Sequence, residues 1–347
     1  MNSLTRWWLN NQLDSYSLET LNKPNDSSPE QQDEFHWHET ACYFRQGKIP
    51  LASTLANYTF KVYNNASKLI SWVFFENIDE DTLIITSNVE HEVVEKTLKG
   101  INRYQKDHVV LDWNNDIQTL NISKIIQACQ TKKYKRAFVY IIGTQISTGE
   151  IAPQAIYEKI KEYFDREHVE CKIAIDDVHG MFLIPRDYSI FDYVFCTAHA
   201  LIRRFDMGML WSKGPFPYGF TAGNWIEDYS SKLKRILAME EFLRNFSFVM
   251  QEEFKPFIKD SVSYKANSAP HIFSLQVDIP PKYIFTRDDW EACSELEVRL
   301  EHKDLQDDDM FYIRMRAAQY ITFPELLEPA IEKVKEILQR IDTLKGE

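Results

Sequence analysis

Polar side chains that can exchange protons or bind anions follow four separate hydrophobic runs of this sequence. In chain order they are Glu90 and His91; Thr144, Gln145 and Ser147; Asp176, Asp177 and His179; and Thr197 and His199. If the four runs are parallel strands of one sheet, their carboxyl ends meet along a single rim. The sequence therefore predicts a site at which imidazole, carboxylate and hydroxyl groups converge.

The elements that would position these side chains alternate between strand and helix from about Thr54 onward. Short runs rich in β-branched residues predict strands at Leu83–Ile85, Val109–Leu111, Ala137–Ile142, Lys172–Ile175, Tyr193–Cys196 and Met209–Trp211. Helical patterns between them cover Glu92–Arg103, Ile122–Thr131 and Gln154–Arg166. This alternation indicates an α/β fold in which helices flank a mostly parallel sheet.

The pattern changes after Gly219, which divides the chain into three expected parts. Residues 1–50 are polar and irregular and form an N-terminal segment, and residues 51–220 form the large domain. Residues 221–347 form a smaller α+β domain. Its expected elements are a long helix at Trp225–Phe254, strands at His271–Asp278 and Met310–Met315, and a closing helix at Pro324–Leu344.

Composition excludes several classes of function for the 347 residues. The net charge of −12 argues against nucleic acid as a partner, since such proteins usually carry a basic face. No run approaches the ~18 apolar residues of a membrane span, and the start lacks a signal-peptide core, so a cytoplasmic location is expected. The five cysteines include no CxxC pair, and the spacing of His36 and His38 suits no common helical ligand pair, so we predict no metal site.

Five motifs together resemble the class V aminotransferase and cysteine desulfurase group, which belongs to the fold-type I pyridoxal-phosphate enzymes. In order they are Glu90-His91; Gln145 with Thr148-Gly149 and Pro153; Asp176 with His179; Thr197-Ala198-His199 followed by Gly208; and Ile313-Arg314-Met315-Arg316 followed by Tyr320 and Pro324-Glu325. The resemblance covers roughly residues 54–344. Each motif alone is weak, but the ordered set is fairly specific. It implies an aminotransferase-like large domain and a homodimer.

The resemblance also implies a role for each site residue. Asp176 would keep the pyridine nitrogen of the cofactor protonated. His91 would stack on the ring, and Gln145 and His179 would bond the ring oxygen or support Asp176. The phosphate would be bound by Thr197 and His199, with Thr59 at the first helix. Arg314 would hold the carboxylate of an amino-acid-like substrate in a bidentate fork.

The central departure from the family is Ala200, which stands where the family has the lysine that binds the cofactor covalently. Alanine can neither attach the cofactor nor move a proton at the substrate carbon. The phosphate-binding segment also differs, since STLANYTF contains Thr59 but no glycine. Arg203 and Arg204 stand where the family has small residues or proline.

Two classes of function remain open at this point. The first is a transferase, epimerase or lyase that binds pyridoxal or pyridoxamine phosphate non-covalently. In it His199 replaces the lysine as acid and base, with Glu90 or His91 as lesser candidates. If Ala200 were an engineered substitution, the natural protein would be an ordinary member of the family. The second is a non-catalytic binding or scaffold descendant. Structural interpretations also exist: Asp176 and Asp177 as turn caps, and Arg314 as a member of an ion pair.

Overall fold

A computed structural model describes most of the chain beyond its N-terminal segment. The described residues are 55, 58–63, 65–101, 107–181, 183–197, 207–217, 239–258, 262–264, 268–278, 285–305 and 308–345. They divide into two compact units. The larger contains those of 29–146 and 151–234, and the smaller contains those of 147–150 and 235–347. The expected N-terminal segment, and the part of the long helix before residue 239, lie outside the described residues.

A seven-stranded sheet forms the centre of the larger unit. Its strands are β1 (Thr59–Tyr63), β2 (Thr82–Ser87), β3 (His108–Leu111), β4 (Arg136–Ile142), β5 (Glu170–Asp176), β6 (Tyr193–Thr197) and β7 (Gly208–Ser212). The spatial order is β1-β7-β6-β5-β4-β2-β3. The strands from β3 to β6 pair in parallel, whereas β7 is antiparallel to both of its neighbours. The prediction of a mostly parallel sheet is confirmed.

Four α-helices of the described residues accompany this sheet. They are α1 (Ala66–Asn77), α2 (Glu92–Gly100), α3 (Ser123–Thr131) and α4 (Gln154–Arg166). Asn65 caps α1, because its side chain accepts a hydrogen bond from the backbone of Lys68. In α4 the apolar side chains at helical spacing, such as Ile156 and Ile160, are buried against β5.

The core of the larger unit is aromatic and lies between α1 and the central strands. Phe74 on α1 lies 5.1 Å from both Phe138 and Tyr140 on β4, measured between ring centroids. Tyr140 also contacts Phe195 on β6 at 5.7 Å. All four rings are buried, and burying such a side chain contributes about 1.5–3 kcal/mol. This packing holds the ends of β4, β5 and β6 in fixed register.

The smaller unit contains a four-stranded antiparallel sheet. Its strands are β8 (Val262–Tyr264), β9 (Ile272–Asp278), β10 (Arg299–Leu305) and β11 (Asp308–Arg316), in the order β10-β11-β9-β8. Its helices are α5 (Glu240–Phe254), α6 (Arg287–Glu295), α7 (Ala317–Thr322) and α8 (Leu327–Lys345). The expected closing helix begins as a short 3-10 turn at Pro324–Leu326 and becomes α-helical only at Leu327. β10 and α6 were not recognised in the sequence, since their charged residues hide the pattern.

A buried ion pair fixes the loop that follows β5. The guanidinium Nε of Arg186 lies 3.3 Å from Oδ1 of Asp177, and both side chains are almost fully buried. Tyr188 donates its hydroxyl hydrogen bond to the same carboxylate. Arg186 also donates to the main-chain oxygens of Ala152 and Gly143. Asp177 therefore stabilises the loop, whereas Asp176 takes no part in this ion pair.

We expect Arg186→Met to destabilise the protein strongly. Removing one partner of a buried pair leaves the other charge uncompensated and costs about 3–5 kcal/mol. Urea unfolding measures the change. The matched control is Lys135→Met, whose partner Asp81 lies on the surface at 2.6 Å, so its loss costs less than about 1 kcal/mol. Equal effects of the two substitutions would contradict the structural role of Arg186.

Candidate functional site

The carboxyl ends of β2, β4, β5 and β6 meet at one edge of the large sheet. Asp176, the last residue of β5, pairs in register with Ile142 of β4 and with Phe195 of β6. Thr197 ends β6 two residues further on, and Ser87 ends β2. The sequence prediction that polar groups collect at this rim follows from this register.

Asp176 is a buried carboxylate without a cationic partner among the described residues. Its Oδ2 accepts a hydrogen bond from the hydroxyl of Tyr140 at 2.9 Å, and its Oδ1 accepts one from the backbone of Val178 at 3.2 Å. No described lysine or arginine lies within 4.0 Å. Burial raises the pKa of this carboxyl above its usual value. Asp176 is therefore suited to accept a hydrogen bond from a positively charged donor.

Glu90 is a second acid beside Asp176, and its proton is held unusually tightly. Its Oε1 accepts hydrogen bonds from the backbone of Ser87 and of Ile142, each at 3.1 Å, and from the hydroxyl of Ser87. Its Oε2 is buried and has no partner. Burial, together with the negative charge of Asp176, raises the pKa of Glu90 to about 8. Because three donors already point at Oε1, Oε2 is the oxygen that carries the proton at neutral pH.

His91 follows Glu90 directly and caps helix α2. Its Nδ1 accepts a hydrogen bond from the backbone of Val93 at 3.2 Å, so the proton of the neutral ring lies on Nε2. The imidazole is exposed, and its positive charge, when present, lowers the pKa of Asp176. The exposed ring and the buried acid thus lie within electrostatic reach of each other.

Four further polar side chains lie at the ends of β4, β5 and β6. Gln145 is buried, and His179 is half-buried in the turn after Asp176. The hydroxyls of Thr144 and Thr197 are buried and have no hydrogen-bond partner. Burying a hydroxyl without a partner costs free energy, so such groups are expected to bind a ligand or water. The roles assigned to Gln145, His179 and Thr197 stay predictions.

The expectation that Thr59 lies at the first helix is wrong. Thr59 begins the edge strand β1 and is opposite Ser212, which is itself opposite Tyr193 at the start of β6. Thr197 lies at the other end of β6, four residues away. At about 3.3 Å per residue these positions are roughly 13 Å apart along the strand. Thr59 therefore lies on an edge strand, two residues below the level of Asp176 and four below that of Thr197.

Among the described helices, α1, which Asn65 caps, begins beside Thr197. Gly208 is opposite Thr197 across β6 and β7, and a Cβ atom on Gly208 would come within 2.3 Å of the backbone nitrogen of Ala66. Only glycine permits this approach. The free backbone N–H groups at the start of α1, near Ala66 and Ser67, therefore lie beside the end of β6. Sequence reasoning missed this helix start, for which Asn65 was the available signal.

Arg314 lies on β11 in the smaller unit. It is 7% exposed, and its Nε and Nη1 have no hydrogen-bond partner. Burial lowers the pKa of this guanidinium to about 10. No carboxylate of the described residues lies within 4.0 Å, so the ion pair offered as its structural interpretation is not formed there. A buried fork with free donors is suited to bind a carboxylate.

Several predicted site residues lie outside the described part of the chain. They are His199, Ala200, Arg203, Arg204, His36 and His38. Their roles stay predictions. Among the residues that the structure does describe, no group of three or more histidine, cysteine or acidic side chains is arranged to hold a metal ion.

No protein-family model and no curated protein matches this sequence. Solved structures do match along nearly the whole chain. The NifS-like protein from Rickettsia africae ESF-5 is 15% identical with a TM-score of 0.59, over 98% of this chain and 96% of that one. Serine palmitoyltransferase from Sphingomonas wittichii is 14% identical with a TM-score of 0.58, over 100% and 85% of the two chains.

A third match is the K→A mutant of C-DES whose structure has glycine covalently linked to the PLP cofactor. It is 15% identical, with a TM-score of 0.55, over 98% of this chain and 93% of that one. At these identities the likeness establishes the fold. The chain has the architecture of the fold-type I pyridoxal-phosphate enzymes: a mostly parallel seven-stranded sheet and a smaller α+β part.

The raised pKa of Glu90 predicts a distinctive pH dependence of folding. The folded protein holds this proton up to about pH 8, whereas the unfolded chain releases it near the ordinary glutamate pKa of 4.5. The stabilisation is therefore complete below pH 4.5 and is lost as the pH rises towards 8, by at most about 1.4 kcal/mol per pH unit. We expect Glu90→Gln to remove this loss, because glutamine is neutral at every pH. Urea unfolding from pH 5 to 8 measures it.

The control is Glu95→Gln on the exposed face of α2, where Glu95 pairs with Lys99. This variant should keep the pH dependence of the natural chain. If Glu90→Gln and the natural chain lost stability in parallel between pH 5 and 8, the neutral state of Glu90 would be refuted.

Proposed function

We propose that this chain binds pyridoxal phosphate or pyridoxamine phosphate non-covalently and acts on an amino-acid-like substrate. One observation carries the proposal. Asp176 is a buried carboxylate at the end of β5 with no described lysine or arginine within 4.0 Å, and such an environment suits a protonated pyridine nitrogen. The fold supports it, since the matched structures include a serine palmitoyltransferase and a C-DES variant with this cofactor bound.

The residues present fit the cofactor in two further respects. The unpaired hydroxyl of Thr197 and the free N–H groups at the start of α1 lie beside each other, and both are donors that a phosphate accepts from. The exposed ring of His91 lies close enough to Asp176 to affect its pKa. Donors for a phosphate and an acceptor for a pyridinium are thus both present at one sheet edge.

Each side chain then has a task that follows from its chemistry. Asp176 keeps a proton on the pyridine nitrogen, which makes the ring a stronger electron sink. His91 covers one face of the ring. Gln145 and His179 bind the ring oxygen or steady Asp176, and Thr197 and His199 bind the phosphate. The bound cofactor supplies the capacity to delocalise the electron pair left at the substrate carbon.

Proton transfer falls to His199 and Glu90, because Ala200 has no amine. His199 adjoins the position of the missing lysine, and imidazole exchanges protons near neutral pH. Glu90 is the second candidate, since a carboxyl with a pKa of about 8 both donates and accepts protons in this range. Its Oε2 is the atom from which the proton would leave. Arg314 would bind the carboxylate of the substrate.

A non-catalytic descendant of the fold is the alternative, and Ala200 is the feature that favours it. Without the lysine, substrate exchange on the cofactor is slow. If Ala200 is an engineered replacement, the natural protein is an ordinary enzyme of this fold. A homodimer and a cytoplasmic location are proposed with the enzyme function. No helix in the described part of the chain is long and apolar enough to cross a membrane.

We expect the purified protein to bind pyridoxal phosphate, seen as a shifted absorption band and a rise in melting temperature with ligand concentration. Asp176→Asn should weaken binding about tenfold or more, because the charge opposite the pyridinium is lost. Asp165→Asn, on the exposed face of α4, is the matched control and should bind normally. Equal binding by natural chain and Asp176→Asn would remove Asp176 from the site.

Restoring the lysine at residue 200 distinguishes the enzyme function from the scaffold function. The chain with Ala200 should not retain the cofactor after borohydride reduction at residue 200, since alanine has no amine. Ala200→Lys should retain it covalently and gain activity towards an amino acid if the surrounding residues still form the site. A variant that binds no cofactor even with this lysine would favour the scaffold function.

A further inference from the structure

A second buried arginine accompanies Arg314 on the same face of the small sheet. Arg316 lies two residues further along β11, and side chains at this spacing share a face. Arg314 is 7% exposed and Arg316 is 8% exposed. On the neighbouring strand β9 they are opposite Ser274 and Ile272. The family that this sequence resembles has a serine two positions after the arginine that matches Arg314, and this chain has Arg316 at that position.

Neither guanidinium has a compensating anion among the described residues. No carboxylate lies within 4.0 Å of either, and Nε and Nη1 of Arg314 have no hydrogen-bond partner. The acids that act on them, Glu301 on Arg314 and Glu297 on Arg316, do so only at longer range. Burial lowers the pKa of Arg314 to about 10 and, with the charges of Arg314 and Arg299, that of Arg316 to about 9. Two uncompensated buried cations are costly unless an anion binds.

Ser147 adds an unpaired hydroxyl beside this arginine pair. It is fully buried, and its Oγ has no partner. Ser274, which is opposite Arg314, donates its hydroxyl hydrogen bond to the main-chain oxygen of Ser147. Two residues later, Gly149 has a φ of +75° and lies against Ile272, which is opposite Arg316. The segment 147–150 therefore runs along the residues that face both arginines, within the same compact unit.

We propose that Arg314, Arg316 and the Ser147 hydroxyl form a binding site for two anionic groups of one small molecule. The substrate is accordingly an amino acid with a second acidic group on its side chain. This inference rests on the proposed function in one respect, since Arg314 takes the α-carboxylate. Arg316 then takes the second acid. The two Cα atoms are about 6.6 Å apart along the strand, and two long side chains can converge on acids separated by a few bonds.

The second acid is either a carboxylate or a phosphate, and both suit a guanidinium fork. Isothermal titration distinguishes them with L-aspartate, L-glutamate and O-phospho-L-serine as probes, and L-alanine as the mono-acidic reference. We expect at least one di-acidic probe to bind about tenfold or more tightly than L-alanine. A preference for O-phospho-L-serine indicates phosphate, and a preference for L-aspartate or L-glutamate indicates carboxylate.

Substitution of Arg316 should change two measured quantities in opposite directions, the affinity for the di-acid and the melting temperature of the ligand-free protein. Arg316→Met should reduce binding of the preferred di-acid to the level of L-alanine and leave L-alanine within about twofold. It should also raise the melting temperature of the ligand-free protein, since it removes a buried charge that nothing compensates. Arg316→Lys keeps the charge and loses the fork, so it should weaken di-acid binding even if the methionine variant fails to fold. Arg287→Met, at an exposed position of α6 where Arg287 pairs with Glu291, is the control and should change neither.

Two results would overturn the proposal. One is that no di-acidic probe binds more tightly than L-alanine. The other is that Arg316→Met or Arg316→Lys leaves the preference intact, which would make Arg316 structural. Failure of the proposed function is distinguishable: the protein would then bind a di-acid in an Arg316-dependent way without binding pyridoxal phosphate. Cofactor binding with no preference among the amino acids would instead overturn only this inference.

Discussion

The binding sites proposed for this structure depend on one constraint, which is that a buried charge without an oppositely charged partner is costly. Asp176 in the larger unit, and Arg314 with Arg316 in the smaller one, are ionisable groups that are almost completely buried and have no oppositely charged side chain within 4.0 Å among the described residues. Folding alone does not retain such groups, because apolar residues of similar size would be more stable. A cationic ring atom would compensate Asp176, and anionic groups would compensate the two arginines.

The neighbouring residues Asp177 and Asp176 have different roles, the first structural and the second functional. Asp177 is neutralised by Arg186 and fixes the loop after β5, whereas Asp176 accepts only uncharged donors. Glu90 reinforces the difference, since its pKa of about 8 keeps it neutral beside Asp176 and so adds no second negative charge. At this edge of the sheet, Asp176 thus serves as the acceptor for a cation, and Glu90 carries a proton that can be transferred.

The fold was predictable because every central strand is a short, β-branched run bounded by polar residues. The site at the carboxyl ends of the strands followed from their parallel order. The local contacts of individual side chains could not be predicted. The family resemblance assigned Thr59 to a helix start, but Thr59 begins the edge strand β1, level with the start of β6 and away from Thr197. The neutral state of Glu90 depends on its burial and on the negative charge of Asp176 on β5, which together outweigh the donors of Ser87 and Ile142 that favour the charged form. The importance of Arg316 depends on the absence of an ion partner, which no sequence pattern displays.

The central claim is that Asp176 holds a protonated pyridine nitrogen, and nitrogen NMR tests it directly. Pyridoxamine phosphate labelled with ¹⁵N at the ring would be bound to the natural chain and titrated from pH 6 to 9. The account predicts that the bound nitrogen stays protonated to a higher pH than in the free cofactor, and that Asp176→Asn abolishes this difference. A bound nitrogen that loses its proton at or below the pH of the free cofactor would contradict the account.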